Sequence, residues 1–280
     1  MLNIWWLRSL GKVRGMKMIN KEQVTKYFKK LNIEPKEPSL ELVKELQKKH
    51  LATFSFNNIA VIQGKEVSLD IEDIVEKIVT KNLGGYCFEH NSLMYEVLKS
   101  LGFNVRILLA KVLNNRDIEV PRTHRVTLLE WEDEQYLVDV GFGAMCPQVV
   151  LNINSQELKE GYKIVPAHNN SYELAYLKEE GYFTLYSFDL VTYTEADCAM
   201  GNFYSSHHPS AIFVNNFVIA LRLLDVTLSF RNGVYYRIGK DKIEVFEIES
   251  VEALHKMINE EFKISLSVEE CEYLFLCYKT

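Results

Sequence analysis

The sequence predicts an α+β protein in three consecutive parts. Helical periodicity runs through the first hundred residues, the period drops to two from Phe103, and strand and helix patterns mix in the last third. The expected boundaries are a helical domain over 18–102, a β domain over 103–205 and an α/β unit over 206–280.

In the helical part, Lys21 to Leu31 places Val24, Tyr27, Phe28 and Leu31 at helical spacing. Ser39 is the expected N-cap of a helix from Leu40 to His50, and Asp70 that of a helix from Ile71 to Thr80. Gly84-Gly85 breaks the pattern before a helix from about Cys87 to Leu101, which Gly102 ends. Strands are expected at 105–112, 125–131, 136–140, 171–177 and 182–188, enough for a small antiparallel sheet or barrel. The stretch 143–170, polar with two prolines, reads as a long loop. In the last part, 211–215 and 217–221 read as strands, and Asn232-Gly233 marks a type I′ hairpin between 227–231 and 234–238. A strand at 243–248 and helices at 251–262 and 268–277 follow, with Ser267 and Glu270 as a capping box.

A chain of 280 residues with 48% hydrophobic and 25% charged content can bury a sizeable core. Its net charge of -6 argues against nucleic acid or an anionic membrane as partner. No apolar run reaches the length of a membrane span. Five scattered cysteines without a Cys-x-x-Cys pair point to a reduced, cytoplasmic setting and to no disulfide framework or zinc site. Cys146, Cys198, Cys271 and Cys277 are expected to behave as small apolar residues. Residues 1–17 hold Trp5, Trp6, Leu7 and Leu10 among basic residues but lack a signal-peptide core. A basic amphipathic anchor is one reading; the one adopted is a disordered extension before a start at Met16 or Met18.

The chemistry-bearing residues are Cys87, His124 and Asp139, a thiol, an imidazole and a carboxylate in that order. A cysteine at a helix start meets backbone N–H groups and the positive end of the dipole, both favouring thiolate. The 15-residue separation of His124 and Asp139 lets them share a hairpin face. Their midpoint precedes the polar run 132–135, so a bulge or lopsided loop is expected. His90, one turn after Cys87, fits either the site wall or a solvated helix face. The remaining histidines show no metal-ligand spacing, and no phosphate-binding loop is present.

At these residues the chain resembles the arylamine N-acetyltransferases. Leu83-Gly84-Gly85-Tyr86-Cys87-Phe88-Glu89 resembles the family signature Arg-Gly-Gly-x-Cys-(Phe/Trp)-Glu. Pro121-Arg122-Thr123-His124 and Val138-Asp139-Val140-Gly141-Phe142-Gly143 resemble the histidine and aspartate segments. Ser55-Phe56-Asn57-Asn58 resembles Pro-Phe-Glu-Asn, and 202–210 resembles the Asn-x-Tyr…Pro-(Ser/Thr) segment. Leu83 departs from the family's arginine, and Ser55 and Asn57 from its proline and glutamate. The resemblance implies a cysteine-protease-like core, with a helical domain, an antiparallel β-barrel and an α/β lid. It implies transfer of acetyl from acetyl-CoA through a Cys87 thioester to an arylamine, hydrazine or hydroxylamine, with no metal. It also implies that Tyr204 and Ser210 touch coenzyme A, and that Phe56, Thr123 and Phe142 line the acceptor site. Core roles for Tyr204 and Phe56, and a loop-capping role for Ser210, stay open. Two other functions are also weighed: a silent ligand-binding protein on the same fold, and a thiol amide synthase or hydrolase using another acyl donor.

Overall fold

The first helix, α1 (Lys21–Leu31), opens on a reciprocal capping box between Asn20 and Gln23 and ends at Asn32 in the left-handed region, φ 52°. The structure, a computed structural model, describes residues 18–279; the expectations for 1–17 lie outside the described residues. Ser39 caps α2 (Leu40–Thr53) as expected, and this helix runs three residues past His50. A two-residue strand, β1 (Phe56–Asn57), and a single turn, α3 (Ile59–Ile62), follow. Next comes α4 (Ile71–Ile74), which widens into a π-helical segment over Val75–Thr80. Helix α5 (Cys87–Ser100) is buried along most of its length. Tyr27, Leu46, Ile78, Met94 and Leu98 form the centre of the core these helices share.

Two glycines before α5 are dictated by contact. A Cβ on Gly84 (φ 63°) would lie 2.1 Å from the Ser55 carbonyl oxygen. On Gly85 it would lie 2.8 Å from the Glu89 carboxylate.

Seven antiparallel strands form the second part: β2 (Asn104–Val112), β3 (Arg122–Trp131), β4 (Glu134–Val138), β5 (Leu151–Asn152), β6 (Tyr162–Ala167), β7 (Ser171–Lys178) and β8 (Gly181–Asp189). Their order is β5-β4-β3-β2-β8-β7-β6, and the two edges approach each other in a nearly closed barrel. Leu108, Val126, Leu128, Ile164, Leu174 and Leu185 fill it. The expected long loop over 143–170 is corrected here, because it contains β5 and β6. Alternate residues Tyr162 and Ile164 are buried, while Pro166 sits on an edge strand, where its missing N–H costs no ladder bond.

After β8 comes α6 (Glu195–His207), which no sequence signal above marked. Residues 211–215, expected as a strand, form the turn α7 (Ile212–Asn215) instead. Asn215 Nδ2 donates to the carbonyls of Pro209 (2.6 Å) and Ala211 (2.9 Å), a local alternative to a ladder. A second sheet joins β1 to β9 (Val218–Arg222), β10 (Val226–Arg231), β11 (Val234–Gly239) and β12 (Ile243–Glu247), in that order. Asn232 (φ 46°) and Gly233 (φ 93°) make the expected primed turn. Helix α8 (Val251–Lys256), continued by a π segment to Glu261, and α9 (Val268–Lys279) cover one face, with Ser267 and Glu270 capping α9. Cys277 is exposed on α9, against expectation, while Cys146, Cys198 and Cys271 are buried.

Candidate active site

The start of α5, the start of β3 and the residue after β4 bring Cys87, His124 and Asp139 together. All three are at least 98% buried. Cys87 Sγ lies 3.6 Å from the carbonyl oxygen of Thr123, the residue preceding His124. His124 Nε2 lies 2.8 Å from Asp139 Oδ2.

The hairpin achieves this without the expected bulge. Strands β3 and β4 pair Thr127 with Val138 and Trp131 with Glu134, leaving only Glu132-Asp133 in the turn, with Glu132 at φ 51°. In that register the position opposite Asp139 is Val126, so Asp139 reaches His124 diagonally across two residues on the same face. Parity was read correctly; the register differs by two.

Asp139 accepts four hydrogen bonds. Oδ2 takes His124 Nε2 and the Tyr186 hydroxyl (3.0 Å), and Oδ1 takes Asn91 Nδ2 (3.0 Å) and the Gly141 N–H (2.8 Å). Burial pushes this carboxyl upward, but the charge and hydrogen bond of His124, with those of Asn91 and Gly141, hold it below the usual range. An ionised carboxylate can only accept, so His124 carries its proton on Nε2 and presents Nδ1 as a base.

Sequence reasoning missed the residues that hold this geometry. Asn91, one turn into α5, also donates to the Arg125 carbonyl (2.6 Å) and accepts from the Val140 N–H (3.0 Å), so one amide ties the Cys87 helix to both hairpin strands. Gln47 on α2 accepts from the Asp139 N–H (3.3 Å) and donates to the carbonyls of Pro147 and Val149. Gly141 packs directly on α5, since a Cβ there would lie 2.8 Å from Cys87 Cα. Asn and Gln inside an amphipathic helix leave no local signal, because their partners come from distant segments.

His90 is buried, which decides between the two readings given to it. Its Nε2 faces the Ser55 carbonyl (3.2 Å), its Nδ1 faces His50 Nε2 (2.8 Å), and His50 Nδ1 faces the Tyr27 hydroxyl (2.9 Å). A carbonyl only accepts, so His90 donates to Ser55, His50 donates to His90, and Tyr27 donates to His50. Both rings are neutral in this one-way chain. Burial lowers His50 well below the ordinary histidine value and lowers His90 to about 4.

Cys87 contradicts the simple helix-start expectation. Burial, then the Asp139 carboxylate, push its thiol well above the ordinary range; the N–H groups of Phe88 and Arg125, aimed at the sulfur, offset only part of this. The helix start alone therefore does not favour the thiolate here.

Phe142 packs edge-on against the His124 ring at 5.0 Å, and Phe56 stacks over His90 at 6.3 Å. Thr123 meets Cys87 through its carbonyl. Tyr204 and Ser210 lie on the outer end of α6 and the following loop, their hydroxyls 3.1 Å apart, with Tyr204 stacked on His208 at 4.3 Å. Helix α6 is tied to the site by Asn202, which bonds the Tyr86 hydroxyl, and by Glu195, which pairs with buried Arg125 at 2.6 and 2.8 Å. Among the described residues no group of three or more His, Cys, Asp or Glu is placed to hold a metal ion, and no helix is long and apolar enough to cross a membrane.

The N-acetyltransferase family profile matches residues 39–271. The arylamine N-acetyltransferase / N-hydroxyarylamine O-acetyltransferase of Salmonella typhimurium is 30% identical over 249 residues, covering 86% of this chain and 88% of its own. The arylamine N-acetyltransferase of Escherichia coli is 32% identical over 244 residues, covering 85% and 86%. Among solved structures, the Salmonella typhimurium enzyme superposes with a TM-score of 0.87 at 28% identity, over 93% of this chain and 99% of that one. The Mycobacterium marinum arylamine N-acetyltransferase in complex with CoA gives 0.85 at 26% identity, over 91% and 98%.

Proposed function

The chain belongs to the N-acetyltransferase family, as an arylamine N-acetyltransferase, and from that premise we propose which of its residues move acetyl from acetyl-CoA to an arylamine. Cys87 is the nucleophile, His124 the general base and acid, and Asp139 the group that orients and charges the imidazole. The observation carrying this is the His124–Asp139 bond of 2.8 Å, with Cys87 beside Thr123 and all three side chains buried.

Acetyl-CoA supplies an activated carbonyl whose thiol leaves readily. His124 Nδ1 takes the Cys87 proton as Sγ attacks that carbonyl carbon, and returns it to the departing sulfur of CoA. Cys87 is then an acetyl thioester. His124 next accepts the proton shed when the amine nitrogen attacks, and gives it back to Sγ as the amide leaves. Asp139 stabilises the imidazolium in both halves. An arylamine is uncharged near neutral pH and needs no prior deprotonation; hydrazines and hydroxylamines are included as acceptors. The exposed hydroxyls of Tyr204 and Ser210, with the stacked His208 ring, supply donors and a flat face suited to coenzyme A. Phe56, Thr123 and Phe142 border the acceptor. We place the enzyme in the cytoplasm, with no metal, nucleic-acid or membrane partner.

Intact-protein mass spectrometry tests this. Incubation with acetyl-CoA is expected to release CoA and add one acetyl to Cys87, and an arylamine is expected to remove it. A folded Cys87→Ala variant that still acetylates an arylamine would overturn the proposal.

A further inference from the structure

We infer that Lys77 is a positioning residue for Cys87: its ammonium, held on the Glu89 carboxylate, fixes the start of α5 and cancels a negative charge that opposes thiolate formation two residues away. The inference rests on Cys87 as the nucleophile of the proposed reaction.

Glu89 is 2% exposed and occupies the third position of α5. Its Oε2 accepts from the Tyr86 N–H at 3.1 Å, satisfying one of the helix's open donors, and Gly85 leaves room for it. Oε1 takes Lys77 Nζ at 2.6 Å. Burial raises the Glu89 carboxyl, and the charge and hydrogen bond of Lys77, with the Tyr86 N–H, offset part of that rise. Lys77 stands on the π-helical segment, and its own carbonyl accepts from the Leu83 N–H (3.0 Å). Main chain and side chain of this one residue thus brace the approach to Gly84-Gly85 and the helix beyond.

The other charges around Glu89 are committed elsewhere. A cleft of about 310 Å³ borders Glu89, Lys77, Asn57 and Leu83. On its wall Lys81 pairs with Glu76 (3.5 Å), Lys65 with Glu270 (3.6 Å), and Asp73 accepts from Ser68, with Glu66 alongside. Leu83, where the motif has arginine, packs into the C-terminal core and brings no cation. Toward Cys87 the facing groups are Tyr86, Asp139, His124 and Glu89; the two carboxylates both raise the thiol. Of these two, Asp139 is bonded to His124 at 2.8 Å, and Glu89 is paired with the Lys77 ammonium at 2.6 Å.

The test is the pH dependence of Cys87 alkylation by iodoacetamide, read by peptide mass, on the whole protein without acetyl-CoA. Lys77→Met is expected to raise the midpoint by roughly one pH unit, tenfold less thiolate at a fixed lower pH. Lys77→Arg is expected to keep the wild-type midpoint, and Lys77→Met with Glu89→Gln to return to it. Glu89→Gln alone, which keeps an acceptor for Tyr86, is expected to lower the midpoint and carries the test if Lys77→Met does not fold. A wild-type midpoint in Lys77→Met, no rescue in the double variant, or an unmoved midpoint in Glu89→Gln would overturn the inference, since a purely structural brace predicts those results. Absence of an acetyl adduct on the wild-type protein would instead refute the proposed reaction, leaving the alkylation result independent.

Discussion

Gly141→Ala should damage the enzyme through one methyl group. Gly141 is not among the glycines with positive φ, so alanine fits its backbone and only contact is at issue. The added Cβ would lie 2.6 Å from Asn91 Nδ2, 2.8 Å from Cys87 Cα and 3.1 Å from the Cys87 carbonyl oxygen. Carbon atoms rest at about 3.5–4 Å, so the start of α5 must retreat by about 1 Å. Overpacking of this kind costs about 1–3 kcal/mol. A displacement of about 1 Å between reacting groups costs up to about 100-fold in rate. Urea unfolding should therefore show a lowered midpoint, and rapid-mixing acetylation of Cys87 a rate about 10- to 100-fold lower. Gly239→Ala is the control, since its nearest neighbour is an ordinary 3.4 Å away and no positive φ is involved; it should stay within about 0.5 kcal/mol. Wild-type rate and wild-type stability in Gly141→Ala would refute the reasoning that this contact sets the position of Cys87.

Asp139→Asn should slow Cys87 acetylation by about 1,000- to 10,000-fold, because the amide cannot charge-stabilise the imidazolium and turns a donor toward groups that already donate; a loss under about tenfold would contradict that role. Acid should unfold the protein through the buried histidine chain. His90 has a folded value of about 4 against the ordinary 6.5, so its contribution is complete above pH 6.5 and is lost as pH falls toward 4. At pH 4.5 the loss is about 2.5 kcal/mol from His90 alone. Asp139, held below the usual carboxylate range, acts only at lower pH. Urea midpoints between pH 7.5 and 4.5 should therefore fall less for His90→Gln than for wild type, and parallel curves would reject the assignment.

The site was legible in the sequence wherever a local pattern carried the information. Gly84-Gly85 before Cys87 shows in one chain segment what the structure explains in three dimensions: no side chain fits against Ser55 O or Glu89. The face shared by His124 and Asp139 followed from strand parity, but the register did not, because Glu132 adopts φ 51° and allows a turn of only two residues. Strand β6 was hidden because polar runs flank it and Pro166 interrupts it, and only pairing with β7 makes it a strand. His50, His90, Gln47 and Asn91 were illegible for a common reason. Each is a polar residue in a helix whose partners lie 23 to 102 positions away in the chain. Composition alone cannot distinguish such a residue from a solvated one.

The burial of these side chains also changes what must activate Cys87. A helix start would by itself favour thiolate, yet burial and the Asp139 charge push the thiol the other way. In the proposed reaction Asp139 acts on both partners of the proton transfer, disfavouring the thiolate and favouring the imidazolium. Coulomb energy falls with distance, and Asp139 bonds His124 directly while Cys87 bonds Thr123 O, so the gain at the imidazolium exceeds the loss at the sulfur. The low-dielectric surroundings that penalise a lone thiolate strengthen its attraction to the imidazolium formed beside it. Ionisation is then worthwhile only as a pair, at the moment of attack. The Phe88 and Arg125 N–H groups steady the sulfur through that step. On the proposed reaction the nucleophile is thus made by His124 and Asp139 together, with the helix start as a partial contributor.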